Sequence, residues 1–236
     1  MFDSERNHGT DTTMTREKLG ILVVGQSPRP EVEQEFHRLV PGIQIEQRGC
    51  LDGLKREDIS ELAPGQGEIG IFTRLPNGEG VSLSKAAVVR HGTTQLDCLE
   101  QSGARAVVAL CTGAFPEWES RPILLPSRII RSFVNGLQSG GHLGVLSPLQ
   151  SQIPATEKRW SAAGYKTTAV ALSPNATAIE AQAASAIFAE TPPDIILLDC
   201  VSYTLETKTI IRKATGRPVV LAITAVARTA AELIEG

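Results

Sequence analysis

Short apolar runs alternate with amphipathic segments along most of the chain. Residues 19–24 form a continuous apolar run, which is typical of a strand buried on both faces. Pro30 then opens an amphipathic helix that continues to residue 39. The same pattern predicts further strands at 43–47, 106–110, 143–147, 165–172, 194–198 and 218–221, and further helices at 56–62, 84–101, 150–163, 175–190, 204–215 and 223–235. Strands alternating with helices predict an α/β fold with mostly parallel sheets.

A hairpin is predicted to interrupt this alternation. Extended segments at 69–75 and 80–84 flank Asn77 and Gly78. An Asn-Gly pair between extended segments is a strong signal for a β-hairpin.

The chain also contains two similar halves. Leu19-Gly-Ile-Leu22 matches Leu143-Gly-Val-Leu146, and a Ser-Pro pair follows each of these strands. Each half later has a strand that ends at a cysteine, Cys111 in the first half and Cys200 in the second. The first half is longer up to its cysteine, and residues 49–84, which include the predicted hairpin, account for the difference. We therefore predict a duplicated α/β unit with an insertion in one copy.

The two strand-end cysteines are the main chemical lead. Small or hydroxylated residues follow both Cys111 and Cys200, rather than a further run of apolar core residues. Ligands bind at the carboxyl ends of the strands in parallel α/β sheets, so the two thiols can face each other across one pocket. One thiol could then remove a proton from a carbon acid while the other returns one. The alternative is that both are small buried hydrophobic side chains.

Composition narrows the classes of function. The 236 residues are 42% hydrophobic and 21% charged, with a net charge of −3, which is ordinary for a globular protein. No basic cluster and only 4% aromatic residues argue against nucleic acid as a partner. No apolar stretch approaches the roughly 18 residues of a membrane span, so no membrane partner is expected.

The first residues are polar throughout. We predict that residues 1–17 are a disordered extension and that Met14 is a candidate start. The segment lacks the apolar centre of a signal peptide, so we expect a cytoplasmic protein whose four cysteines are thiols. Cys50 and Cys98 are interpreted as structural or incidental, because one precedes a loop and the other lies within a predicted helix.

No cofactor is predicted. The four histidines form no spaced set with cysteines or carboxylates, so no metal site is expected. The chain has no phosphate-binding P-loop and no Gly-x-Gly-x-x-Gly motif that opens a helix.

The chain resembles the AroM family, a branch within or near the aspartate/glutamate/hydantoin racemase superfamily. The similar stretches are the two cysteine-bearing strand ends and residues 21–25, 51–58, 125–129, 196–201 and 227–233. The resemblance extends over essentially everything after residue 17. It implies two pseudo-symmetric α/β lobes with the active site between them, residues 18–128 plus 222–236 forming the first lobe and 129–221 the second. It also implies cofactor-independent chemistry with one cysteine from each lobe, and a homodimer is possible.

Residues beside the two cysteines are candidate substrate-binding groups. Thr112 and Gly113 can offer a hydroxyl and amides to a carboxylate oxygen and to an enolate-like transition state, or can simply cap a helix. Ser202 and Tyr203 occupy the matching place after Cys200. Racemases of the superfamily usually carry a small residue or threonine there, so Tyr203 is a departure that either narrows the pocket or contributes a phenol.

Further candidates lie at other strand ends. Gln26, Ser27 and Arg29 follow the first strand, where a loop of the superfamily contacts the substrate. Arg29 could bind a carboxylate through two hydrogen bonds, or could be an ordinary surface arginine. Thr73 and Arg74 are candidates at the end of the third predicted strand. Ser147 is a candidate at the end of the strand that opens the second half. For Thr73 and Arg74 the alternative is a hairpin strand with an exposed arginine.

The residues and the resemblance together favour an enzyme. The leading hypothesis is a cofactor-independent racemase or isomerase that transfers a proton at a carbon next to a carboxylate or carbonyl of a small acid, with Cys111 and Cys200 as the acid/base pair. The first alternative is a decarboxylase or lyase of a small dicarboxylate at the same site. The second is a non-catalytic protein that binds a small carboxylate-bearing metabolite.

Overall fold

The computed structural model describes residues 17–68 and 70–234. Its strands are β1 (Lys18–Val23), β2 (Gln44–Gly49), β3 (Ile71–Arg74), β4 (Gly80–Leu83), β5 (Ala106–Leu110), β6 (Gly141–Ser147), β7 (Tyr165–Ala171), β8 (Ile195–Leu198) and β9 (Val219–Leu221). Its α-helices are α1 (Pro30–Leu39), α2 (Arg56–Glu61), α3 (Lys85–Gln101), α4 (Pro126–Leu137), α5 (Ile153–Ser161), α6 (Ala178–Glu190), α7 (Leu205–Thr215) and α8 (Ala222–Ile234).

The described strands form two parallel sheets and one antiparallel hairpin. The first sheet has the order β2-β1-β5, and the second has the order β7-β6-β8-β9. Every pairing within these two sheets is parallel, whereas β3 and β4 pair antiparallel. The predicted α/β class with mostly parallel sheets is therefore confirmed.

The two parallel sheets place their cysteines at the same register. Leu19 of β1 lies opposite Ala106 of β5, and Cys111 comes five residues after Ala106. In the second sheet Leu143 of β6 lies opposite Ile195 of β8, and Cys200 again comes five residues later. The similar tetrapeptides thus belong to strands with equivalent neighbours, as a duplicated unit requires.

Helix α8 returns to the first sheet. It contacts α1, α4 and β5, and small or branched side chains such as Ala222, Val226 and Ala230 are buried along its length. One hydrophobic cluster consequently includes residues of both parallel sheets together with α8. The predicted boundary between residues 128 and 129 falls within α4, and the division into lobes stays a prediction.

Hydrogen bonds from capping residues set where the helices begin. The helix predicted to begin at residue 175 begins at Ala178, because the Thr177 hydroxyl accepts a hydrogen bond from the Glu180 amide and the Glu180 carboxylate accepts one from the Thr177 amide. Ser84 caps α3 as predicted, accepting from the Ala87 amide. The predicted N-terminal extension lies outside the described residues except for Glu17. Among the described helices, none has the length and apolar content needed to cross a membrane.

The β3–β4 hairpin forms at the predicted Asn-Gly pair. Gly78 takes a φ of 86°, a left-handed conformation that favours glycine. Two hydrogen bonds connect the hairpin to segments of the second half, from Gln152 Nε2 to the Gly70 carbonyl at 2.9 Å and from Asn175 Nδ2 to the Gly78 carbonyl at 3.2 Å. The hairpin therefore lies between the two halves of the chain.

Candidate active site

A cavity of about 640 Å³ lies where the carboxyl ends of the two parallel sheets come together. Residues at or just after the ends of β1, β5, β6 and β8 line it, and all four residues of β3 close it from the hairpin. Sites for small molecules in α/β proteins occupy this position relative to the strands. The cavity contains most of the predicted site residues, namely Arg29, Thr73, Arg74, Cys111, Thr112, Gly113, Ser147, Cys200, Ser202 and Tyr203.

Both strand-end cysteines line this cavity in matching local structures. The Gly113 amide donates to Cys111 Sγ at 3.4 Å, and the Ser202 amide donates to Cys200 Sγ at 3.5 Å. The two loops also touch directly, because Thr112 Oγ1 donates to the Asp199 carbonyl at 3.0 Å. The pseudo-symmetry of the sheets thus extends to the hydrogen bonds of the two thiols.

Both thiols are protonated at neutral pH. Burial raises the pKa of Cys111 to about 12, although the hydrogen bond from the Gly113 amide partly offsets this. Burial also raises the pKa of Cys200 to about 11, with hydrogen bonds from Ser202 and the positive charge of Arg74 acting in the opposite direction. Each thiol therefore holds its proton and can donate it to a strongly basic centre such as a carbanion, whereas the thiolate of Cys200 is only about one part in ten thousand at pH 7.

Arg74, rather than Arg29, has hydrogen-bonding capacity left for a carboxylate. Arg29 Nε and Nη2 contact a Glu31 oxygen at 2.6 and 2.5 Å, and its Nη1 donates to the Arg74 carbonyl at 3.1 Å. In contrast, Arg74 Nε and Nη2 are buried with no hydrogen-bond partner among the described residues. These two nitrogens share one edge of the guanidinium, the geometry that holds a carboxylate through two parallel hydrogen bonds.

Gln26 and Ser27 are not among the described residues that line the cavity, and their role as substrate-binding residues stays a prediction. The Gln26 side chain donates to the Leu54 carbonyl at 3.0 Å. The Ser27 amide and hydroxyl both donate to the carboxylate of Asp52, each at 2.7 Å. Groups in the loop after β2 therefore accept hydrogen bonds from both side chains.

Ser147 and Tyr203 line the cavity with their hydroxyls already hydrogen-bonded. Ser147 Oγ lies 3.2 Å from Thr156 Oγ1. The Tyr203 hydroxyl donates to the Leu172 carbonyl at 2.5 Å, and burial raises its pKa well above the usual value. Of the two roles considered for Tyr203, the structure therefore favours narrowing the pocket over donating a phenolic proton.

A model of the AroM protein family matches residues 19–234. The chain belongs to the AroM family. The resemblance predicted from the two cysteine-bearing strand ends is therefore confirmed. No curated protein sequence matches this AroM chain.

Solved enzyme structures share the fold of this AroM protein over most of its length. Unliganded arylmalonate decarboxylase is 16% identical, with a TM-score of 0.62 and 93% of each chain covered. Glutamate racemase from Francisella tularensis subsp. tularensis SCHU S4, in complex with D-glutamate, is 11% identical, with a TM-score of 0.60 and coverage of 93% of this chain and 81% of that chain. Maleate cis-trans isomerase from Nocardia farcinica, bound to TRIS, is 14% identical, with a TM-score of 0.61 and coverage of 93% and 92%. These matches show the two-lobed fold of Asp/Glu racemase-like proteins.

The AroM cavity also contains an ion pair that was not predicted. Arg159 of α5 contacts the carboxylate of Asp199, which directly precedes Cys200 and has a buried side chain. The negative charge of Asp199 contributes to the raised pKa of both cysteines. Its position before Cys200 was visible in the sequence, but no local pattern relates it to an arginine on another element. Among the described residues, no cluster of His, Cys, Asp or Glu side chains could hold a metal ion.

Gly25 allows the hairpin to approach β1, which gives a testable prediction. A Cβ at Gly25 would lie 2.7 Å from Thr73 Oγ1 and 2.9 Å from the Arg74 carbonyl. We expect Gly25→Ala to lower the free energy of unfolding by about 1–3 kcal/mol, because the hairpin must move to relieve the overlap. Chemical denaturation measures the change.

Gly136 offers a matched control for this substitution. It lies within α4, where an added Cβ has no neighbour within 4 Å. Gly136→Ala should leave stability unchanged or raise it by about 0.5–1 kcal/mol, because alanine is the better helix former. Equal effects of the two substitutions would contradict close packing at Gly25.

Proposed function

We propose that this AroM protein is a cofactor-independent racemase or isomerase that transfers a proton at a carbon next to the carboxylate of a small acid. The single observation that carries the proposal is the pair of thiols, which occupy the same register in two equivalent sheets and line one cavity. A substrate carbon bound between them can be approached from opposite faces, as inversion at that carbon requires.

In the proposed reaction one thiol works as a thiolate and the other as an acid. The Cys200 thiolate removes the α-proton, and the electron pair of the broken C–H bond moves toward the carboxylate to form an enolate. The Cys111 thiol then donates its proton to the opposite face of the carbon. Proton exchange with solvent resets the pair, and in the reverse direction the two cysteines exchange roles.

The asymmetry of the two sites favours Cys200 as the first base. Arg74 lies close enough to Cys200 for each to affect the pKa of the other, and it lowers that of the thiol. Cys111 has the higher pKa and lacks a cation among the groups that affect it. Arg74 would also hold the substrate carboxylate and stabilise the charge that develops on it, with Thr112, Gly113 and Ser202 nearby.

Decarboxylation is the second candidate. A thiol whose pKa is raised to about 11 or 12 is a competent proton donor, and protonation of the carbanion left by CO₂ requires only one such donor. The likeness to arylmalonate decarboxylase is compatible with this reaction. A non-catalytic metabolite-binding protein is the remaining alternative.

Incubation in heavy water separates the candidates. The probes are D-glutamate, maleate, phenylmalonate and 2-phenylpropanoate, followed by NMR and by CO₂ release. Deuterium at the α-carbon with inversion would support the proposal. Conversion of maleate to fumarate needs no removal of an α-proton, so it would instead favour an isomerase in which a thiol adds to the double bond. Loss of CO₂ from phenylmalonate alone would favour the decarboxylase. A raised melting temperature with none of these reactions would favour a binding protein. The cytoplasmic location and the homodimer stay predictions.

A further inference from the structure

The charges that line the cavity are almost all compensated within the protein. Most of its charged side chains form ion pairs, and these pairs are Arg29–Glu31, Arg159–Asp199, Lys85–Glu117 and Arg38–Glu35. Among the described lining residues, Arg74 is the cation without an acidic partner, and Glu206 is an exposed anion at the start of α7. The cavity therefore has one free positive charge to offer, which matches one carboxylate rather than two.

The remainder of the wall is largely apolar. Phe72 and Arg74 are two residues apart on β3, so their side chains project from the same face of the strand, roughly 7 Å apart. A Cβ at Gly80 on the paired strand would lie 2.8 Å from the Phe72 ring, so the glycine leaves space for that ring. Val201 and Ile223 line the cavity as well, and Leu205 lies at its edge with 37% of its surface exposed.

We propose that the cavity binds amphiphilic monocarboxylates, with the carboxylate on the guanidinium of Arg74, which lines the cavity, and an apolar group about the size of a benzene ring beside Phe72. This substrate class rests on the proposed function, because it concerns the same site. A volume of about 640 Å³ accommodates such a ligand, whereas a short dicarboxylate would leave the apolar wall uncovered and bring a second charge without a partner.

Equilibrium binding of four matched probes tests the inference, measured by isothermal titration calorimetry on the full chain. The reference probe is 3-phenylpropanoate. Propanoate lacks its ring, 3-phenylpropanamide lacks its charge, and succinate replaces the ring with a second carboxylate. We expect 3-phenylpropanoate to bind about tenfold or more tightly than each of the other three.

Two variants test which residue contacts each end of the ligand. Arg74→Gln should weaken 3-phenylpropanoate binding by roughly tenfold to a hundredfold and leave 3-phenylpropanamide nearly unchanged, because only the acid uses the guanidinium. Phe72→Ala should weaken 3-phenylpropanoate by about tenfold and leave propanoate nearly unchanged. Arg131→Gln, an exposed position on α4, is the control and should change neither affinity.

Several results would overturn the inference. These are tighter binding of succinate than of 3-phenylpropanoate, equal binding of the acid and its amide, or no binding of 3-phenylpropanoate at millimolar concentration. Because the ligands are matched, the wild-type protein alone gives these results even if a variant does not fold. Binding is measured without turnover, so a failure of proton exchange in heavy water would reject the proposed function and leave these affinities intact.

Discussion

Cys111→Ser and Cys200→Ser are each expected to lower the racemisation rate of 2-phenylpropanoate by about 100- to 10,000-fold. Both thiols line the cavity, and in the proposed reaction each inversion uses one as the base and the other as the acid. A serine hydroxyl has nearly the same size, but it ionises far less readily than a thiol and is a poorer proton donor. The loss should therefore appear in catalysis and not in folding.

Polarimetry or chiral chromatography measures the rates for these variants. Cys98→Ser is the matched control, because Cys98 lies in α3 away from the cavity and is only partly buried. This variant should retain the wild-type rate. Circular dichroism and melting temperature should be similar for all three variants. Full activity in either Cys111→Ser or Cys200→Ser would end the two-thiol mechanism.

The rate should also depend steeply on pH. In the proposed mechanism the base in the forward direction is the thiolate of Cys200, whose protonated form predominates below a pKa of about 11. Below that value the thiolate fraction rises about tenfold per pH unit, so kcat/KM should rise about a thousandfold from pH 6 to pH 9. Above the pKa of Cys111, about 12, the proton donor is lost and the rate should fall.

Initial rates between pH 6 and pH 9 check this dependence. Labelling with iodoacetamide provides a second readout that needs no substrate, because only the thiolate reacts. Modification of Cys200, followed by mass spectrometry, should accelerate by the same factor per pH unit. A flat profile between pH 6 and pH 9 would show that the thiol is already ionised or that it is not the base.

The parts of this structure that follow from local patterns were predictable. The alternation of strands and helices, the Asn-Gly hairpin and the Ser84 cap each depend on residues close together in the chain. The cysteine placement was also predictable, because a residue that directly follows a buried strand in a parallel sheet lies at the ligand-binding edge. The duplication then related Cys111 to Cys200.

The roles of polar side chains were harder to predict, because they depend on distant partners. Ser27 was a reasonable candidate after β1, but Asp52 in the loop after β2 accepts hydrogen bonds from its amide and hydroxyl. Arg29 and Arg74 were both plausible carboxylate binders in the sequence. They differ because the carboxylate of Glu31 pairs with the guanidinium of Arg29. The Nε and Nη2 atoms of Arg74, in contrast, have no hydrogen-bond partner among the described residues.

In the proposed mechanism the two thiols act on opposite faces of one carbon, and stereospecific exchange of deuterium is a direct test of that arrangement. Deuterium incorporation is measured separately into (R)- and (S)-2-phenylpropanoate by the wild type, Cys111→Ser and Cys200→Ser. We expect the wild type to exchange both enantiomers. Each variant should exchange only one, and the two variants should act on opposite enantiomers, because each retains a single thiol. Exchange of the same enantiomer by both variants, or of neither by the wild type, would contradict the two-thiol mechanism.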